Sequence, residues 1–225
     1  MAREWCIPSA SCEFVAAMED VLGVYARPRD PARPLVCLDE SSEQLVAHSR
    51  APLPARPGEP ETWDHEYVRK GVADVFMAFA PLERERHARV APTRTRADMA
   101  ETLRWLSDDL YPGAEAIVLV WDNLNTHSMG SLYEAFPPAE ARRIAGRFEV
   151  HCTPKHGSWP DMAEVEIGVL MNHGLSKRVA SLEEMASLAK AWEDDRNARQ
   201  RTVDWQFATE DARVKLKHLY PKYIA

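Results

Sequence analysis

Two short apolar runs, each closed by an aspartate, constrain the fold of this chain more than any other feature. Leu35-Val36-Cys37-Leu38 runs into Asp39, and Ala116-Ile117-Val118-Leu119-Val120-Trp121 runs into Asp122. Runs of this length and composition read as buried strands, and an acid at the end of a buried strand sits where a sheet opens toward a ligand. A third acid, Glu164, lies in an almost wholly apolar helical stretch from Met162 to Met171. Two strand-end acids and one on a helix are the parts needed to hold divalent metal ions for phosphodiester chemistry.

At 225 residues, 45% of them hydrophobic, the chain is long and apolar enough for one large domain with a sizeable core. No apolar run approaches the roughly 20 residues of a membrane span. The opening Met-Ala-Arg-Glu-Trp-Cys lacks the layout of a signal peptide, so a cytoplasmic, membrane-free protein is expected. Cys6, Cys12, Cys37 and Cys152 show no Cys-x-x-Cys spacing, which favours free, mostly buried thiols over disulfides or zinc. The net charge of −7 argues against a dedicated nucleic-acid binder, but its distribution leaves basic clusters at Arg84, Arg86, Arg89, Arg94 and Arg96, at Lys177-Arg178, and at Lys215, Lys217 and Lys222.

Phe14, Val15, Met18, Val21, Leu22 and Tyr25 repeat with the helical period and predict a helix over 9–26. The proline-rich stretch 27–34 ends it. Strands are predicted at 35–39, 44–48, 67–80 and 86–91, with an extended proline-rich loop at 51–60. A helix over 97–110, a strand over 116–121, short helices near 129–136 and 138–146, and a strand over 148–152 follow. Ser158-Trp159-Pro160-Asp161 fits a capping box opening the helix that contains Glu164 and Glu166, with Trp159 anchoring its start in the core. Helices over roughly 181–199 and 209–219 close the chain. Strands first, then alternating helix and strand, then helices indicate an α/β fold with a mixed sheet.

For the three acids to meet, strands 35–39 and 116–121 must be neighbours with their carboxyl ends at one edge, and the helix from 161 must cross that edge. Two ions about 3.5–4 Å apart could then be shared among the carboxylates. Glu164 and Glu166 lie about 200° apart around a helix, so only one of them faces such a site, and periodicity alone does not choose. Asp161 reads as a first-turn acid at the helix dipole.

Three strings carry a family resemblance: Val36-Cys37-Leu38-Asp39-Glu40-Ser41-Ser42, Val118 through Asp122-Asn123-Leu124-Asn125-Thr126-His127, and Thr153-Pro154-Lys155-His156-Gly157-Ser158-Trp159-Pro160-Asp161-Met162-Ala163-Glu164-Val165-Glu166. Together they resemble the catalytic core of insertion-sequence transposases of the IS630/Tc1-mariner superfamily, from about residue 9 to the end. The resemblance implies a ribonuclease-H-like fold and a metal-binding, catalytic triad of Asp39, Asp122 and Glu164 (Glu164 rather than Glu166). It implies two Mg²⁺ or Mn²⁺ ions, transposon-end DNA as partner, and assembly as a homodimer or with a second transposase chain. The implied organisation is an N-terminal helix and linker over 1–34, a catalytic core over 35–180, and C-terminal helices packed on it over 181–225. Around the triad, Asn123, Asn125 and His127 are placed to orient Asp122 or contact a phosphate. Lys155, His156, Lys177 and Arg178 are candidates for the DNA backbone.

Only about 34 residues precede the first strand, too few for the helix-turn-helix region such transposases use to read their terminal repeats. The chain is therefore expected to be the catalytic part of a split or truncated transposase, with an inactive or regulatory fragment as the alternative. Ser41 stands where a strand-end-Asp phosphohydrolase would want a second acid. No helical His-x-x-x-His pair supports a zinc hydrolase.

Overall fold

The computed structural model describes residues 11–155, 157, 160–175, 177–200 and 205–221. Cys6, His156, Ser158, Trp159 and Lys222 lie outside them. One five-stranded sheet organises the chain: β1 (Leu35–His48), β2 (Tyr67–Ala80), β3 (Glu85–Ala91), β4 (Ile117–Trp121) and β5 (Phe148–Cys152), in the order β3-β2-β1-β4-β5. The β1–β2 and β2–β3 pairs are antiparallel, whereas β1–β4 and β4–β5 are parallel, so the sheet is mixed as the element order predicts.

Alternation along the central strands sorts the core into two layers. Leu35, Cys37, Val75, Met77, Phe79, Val118 and Val120 face one side, where they meet α1 (Cys12–Tyr25), α5 (Met162–Val169) and α6 (Leu182–Ala198). Val36, Leu38, Phe76, Ala78, Ile117, Leu119 and Trp121 face the other, against α2 (Arg96–Trp105), α3 (Gly130–Ala135) and α4 (Pro138–Ala145). A smaller cluster joins Phe14, Met18 and Leu22 of α1 to Ala212 of α7 (Thr209–Lys215) and to Leu219, with Glu19 accepting from Arg213 at 2.8 Å and from Tyr220 at 2.8 Å. No helix among the described residues is long and apolar enough to cross a membrane.

The sequence divides β1 into two strands; the structure makes it one, of 14 residues. The polar tetrad Glu40-Ser41-Ser42-Glu43 interrupts the apolar pattern, yet all four pair with β2, from Phe76 back to Ala73. Polar groups stay in this stretch because partners meet them: Ser42 hydrogen-bonds the buried Asp74, and Glu40 finds a histidine described below. The ladder slips between Leu45 and Val46, opposite Gly71, whose φ of +114° only glycine adopts readily. The predicted helix over 97–110 is α2 followed by a π-helical turn, Leu106–Leu110. Of the described cysteines, Cys37 is buried and Cys152 half-buried, but Cys12 is exposed on α1.

The edge strand β3 is covered by α6. The Arg86 amide donates to the Asn197 side chain (3.0 Å), that amide group donates back to the Arg86 carbonyl (2.9 Å), and the Ala88 amide donates to Glu193 (2.9 Å). Side chains of one helix thus satisfy backbone groups that a sheet edge otherwise leaves open to pairing with another chain. Arg86 itself is fully buried, stacked over Phe79, and ion-paired to Glu166 at 3.2 Å; Arg196 of α6 grips the same carboxylate at 2.9 Å. The predicted basic cluster at 84–96 is therefore not one solvated face. Burying a lone guanidinium is unfavourable, and Glu166 is the acid that neutralises it.

Glu166→Ala leaves that buried charge uncompensated and is expected to destabilise the protein by about 3–5 kcal/mol. Glu164→Ala, on an exposed position, is expected to change stability by no more than about 0.5 kcal/mol. Urea unfolding of the two variants checks this; equal losses would contradict the assignment of Glu166 to the ion-paired core.

Candidate active site

The parallel pairing of β1 with β4 runs in a single register, Leu35 opposite Val118, Val36 opposite Leu119, and Cys37 opposite Val120. Extended two residues further, the same register sets Asp39 beside Asp122, on the Cys37/Val120 side of the sheet toward α5. Asp122 follows the last residue of β4, as the sequence predicts. Asp39 does not end its strand: β1 continues alongside β2, and Asp39 marks the level at which its β4 neighbour stops. The functional consequence is the same, because a carboxylate there looks into the gap that the shorter strand leaves.

The two acids differ in environment. Asp39 is pushed up to about 7, first by burial and further by the charges of Glu40 and Asp122, against the pull of the Glu40 amide that donates to it at 2.9 Å and of His127. Burial also raises Asp122, but His127 and the Leu124 amide outweigh it and hold Asp122 below the usual carboxylate range. His127 Nδ1 lies 2.5 Å from Asp122 Oδ1, and its Nε2 lies 2.7 Å from Glu40 Oε2. The imidazole stacks on Trp121 at 5.2 Å with 9° between planes. Burial alone would lower the His127 pKa, but its two carboxylate partners raise it to about 10, which favours the protonated ring.

Asn123 ties the turn after β4 to the end of β5 by donating to the Thr153 carbonyl, while Asn125 is exposed in the same turn. The orienting contact to the Asp122 side chain therefore comes from His127 and the Leu124 amide rather than from either asparagine.

The helix α5 packs across β1 and β2 and begins beside the two aspartates. Asp161 is its N-cap, accepting from the Ala163 amide at 2.9 Å, a tighter role than the first-turn acid the sequence suggests. Asp161 is buried and its second oxygen has no hydrogen-bond partner among the described residues; burial raises its pKa well above the usual range, and Asp39, Asp122 and Glu164 raise it further. Those mutual repulsions place four carboxylates in one neighbourhood. Glu164 stands exposed in the first turn of α5, and Glu166, nearly opposite around the helix, is sealed in the Arg86–Arg196 ion pairs.

Lys155 is exposed just beyond β5, and Lys177 is exposed near the start of the segment leading to α6. Arg178 is half-buried, donating to the carbonyls of Glu66 (2.8 Å) and His65 (3.2 Å) and lying over the Tyr67 ring. Arg178 thus braces the β1–β2 hairpin, a contact that sequence reading did not anticipate. Glu40 and Asp161 were also missed; the signal for Glu40 was a second acid directly after Asp39, on the face that alternation sends toward the α2 layer.

Among the described residues, no three Asp, Glu, His or Cys side chains are drawn together closely enough to hold a metal ion between them. The donor chemistry nonetheless fits a hard divalent cation: the groups are carboxylate oxygens, they repel one another, and a buried Asp161 oxygen has no hydrogen-bond partner among the described residues.

Residues 34–186 match the family described as DDE superfamily endonuclease. No curated protein matches the chain. Among solved structures, the Mos1 mariner paired-end complex with Mn is 17% identical with a TM-score of 0.53, the similarity covering 89% of this chain and 62% of the Mos1 chain. A pre-cleavage Mos1 transpososome is 16% identical with a TM-score of 0.53, covering 100% of this chain and 68% of that one. The chain thus spans roughly three-fifths of the first of these proteins' length. At such identities the likeness is one of fold: the mixed five-stranded sheet with flanking helices is the ribonuclease-H-like fold expected from the sequence. With the family match covering more than half of its residues, the chain belongs to the DDE superfamily endonucleases.

Proposed function

We propose that this chain is the catalytic domain of a DDE transposase of the IS630 type, cleaving and transferring DNA strands at the ends of an insertion sequence with two divalent metal ions. The observation that carries this reading is the β1–β4 register, which sets Asp39 beside Asp122 on the face toward α5. Asp39, Asp122 and Glu164 would hold Mg²⁺ or Mn²⁺. Such ions, when bound, supply an activated water or hydroxyl and stabilise the leaving oxygen of a phosphodiester.

The chain's own residues do the positioning. Asp39 and Asp122 come from rigid neighbouring strands, and Glu164 rides on a helix anchored by the Asp161 cap and by Glu166. Asp122 is kept ionised by His127, so one strong ligand is available at neutral pH without further change. Burial and the neighbouring carboxylates push Asp39 up to about 7, and a cation held beside it would favour its ionised form. Lys155, His156 and Lys177 are the proposed phosphate contacts, whereas the Arg178 guanidinium is already engaged in bracing the β1–β2 hairpin. Lys155 and Lys177 are exposed, as that role requires.

Mos1 structures are described as paired-end complexes and a strand transfer complex. By analogy we propose that this chain works on transposon ends as a dimer, or paired with a transposase chain that carries a helix-turn-helix region. Exposed Lys155 and Lys177 act as point charges, so these residues should contact phosphates rather than bases.

Two predictions follow from these roles. Changing the outer partners of metal ligands typically costs about 10–100-fold in affinity or activity, so losing a ligand should cost more. Asp39→Asn, Asp122→Asn and Glu164→Gln should each reduce Mg²⁺- or Mn²⁺-dependent DNA nicking by over about 100-fold in a gel assay, whereas Glu166→Gln, corrected for its folded fraction, should not. Nicking retained in Glu164→Gln and lost in folded Glu166→Gln would reverse the third assignment. In titrations of labelled terminal-repeat and scrambled DNA, the chain should bind both alike, with Kd on the order of 10⁻⁴–10⁻⁶ M at physiological salt and a steep loss as salt rises. Nanomolar, repeat-selective binding that tolerates salt would show that the chain reads sequence by itself.

A further inference from the structure

Glu40 directly follows Asp39 on β1, so its side chain leaves the opposite face of the sheet. It is almost sealed from solvent, and a carboxylate in such a place persists only with a partner. That partner is His127, whose Nε2 lies 2.7 Å from Glu40 Oε2 while its Nδ1 lies 2.5 Å from Asp122 Oδ1. Trp121 stacks flat on the ring and blocks its rotation out of plane. The Leu124 amide donates to the same Asp122 Oδ1 at 2.8 Å, and His127 Nδ1 also lies 3.3 Å from the Asp122 main-chain carbonyl, so both contacts to the side chain fall on one oxygen and Oδ2 is left to meet a ligand. At the outer end, the Arg94 guanidinium lies 3.9 Å from Glu40 Oε1 and 3.7 Å from Asp74. A continuous chain of side chains therefore runs from the surface to the site: Arg94, Glu40, His127, Asp122.

We propose that Glu40 is a positioning residue for metal binding: through His127 it fixes the orientation of the Asp122 carboxylate so that Oδ2 is presented to the cation beside Asp39. The inference rests on the function proposed above and extends it by one residue that touches neither the cation nor the DNA. Its physical basis is that a carboxylate free to rotate must be ordered when a cation binds, whereas one already held by two donors need not be. A histidine held by a single carboxylate could tilt. Clamped at both nitrogens and stacked on Trp121, it cannot.

The test is Mn²⁺ binding to the full chain, read from the electron paramagnetic resonance signal of free Mn²⁺, with circular dichroism to verify folding. Asp122→Asn should abolish the high-affinity site. Glu40→Leu, which keeps the bulk and removes the acceptor, should weaken Mn²⁺ binding about 10–100-fold. Glu40→Gln, which retains an acceptor for Nε2, should fall well short of that loss. Wild-type affinity in folded Glu40→Leu overturns the proposal, and so does an equal loss in folded Glu40→Gln and Glu40→Leu. If Glu40→Leu fails to fold, His127→Phe decides: it keeps the stack on Trp121 but no donor, and wild-type Mn²⁺ affinity there overturns the proposal. A wild-type chain that binds no Mn²⁺ overturns the proposed function itself. Binding that Asp122→Asn removes and Glu40→Leu spares overturns this inference alone.

Discussion

The parallel pairing of β1 with β4 is the interaction on which the rest of the site depends. Its register sets residue n of β1 beside residue n + 83 of β4, so Asp39 and Asp122 share one level and one side of the sheet. A shift of one residue would send one of the two to the opposite face. The register is held because both faces are buried: Val36 and Leu38 pack with Leu119 and Trp121 on the α2–α4 side, and Cys37 with Val120 on the α1–α5 side. The buried strands are thus the reason two distant aspartates meet, and their β-rich composition is the reason the strands form at all.

The same alternation divides labour between the faces. Odd-numbered Asp39 looks toward α5, where Asp161 caps the helix and Glu164 projects from its first turn. Even-numbered Glu40 looks toward the α2–α4 layer and reaches Asp122 from behind, through His127. Acids that repel one another occupy the first side, and from the second His127 links Glu40 to Asp122. Under the function proposed here, that repulsion would favour a positive ion on the first side, since a divalent cation would relieve it directly. Glu166 is excluded from this balance because the α6 arginine and the buried Arg86 already neutralise it.

Much of this was legible in the sequence, and for identifiable reasons. The expected bounds of β2 match Tyr67–Ala80, and those of β4 and β5 fall within a residue, because the apolar runs in β2 and β4 and the glycine- and proline-containing breaks around β4 and β5 are local signals. β1 was split because periodicity cannot see that Glu40 and Ser42 have buried partners far along the chain. The choice between Glu164 and Glu166 was left open by helical geometry, which places them on opposite faces but does not say which face meets α6. A charge run carries no mark of burial, so Arg86 reads as part of a basic cluster; its pairing with Glu166, 80 positions away, explains its place in the core. Asp161 was read as a dipole acid, and its position beside Asp39 follows from the crossing of α5 over β1, a tertiary fact without a local signature.

The central claim is that Asp39 and Asp122 share a cation because the β1–β4 register faces them together. A crystal structure of the chain grown with Mn²⁺, with data collected at the manganese edge, tests it most directly. The account predicts an anomalous peak between the Asp39 and Asp122 carboxylates, contacted by Asp122 through Oδ2 with His127 still on Oδ1. An ordered peak bound elsewhere, with these two carboxylates turned apart, would contradict it.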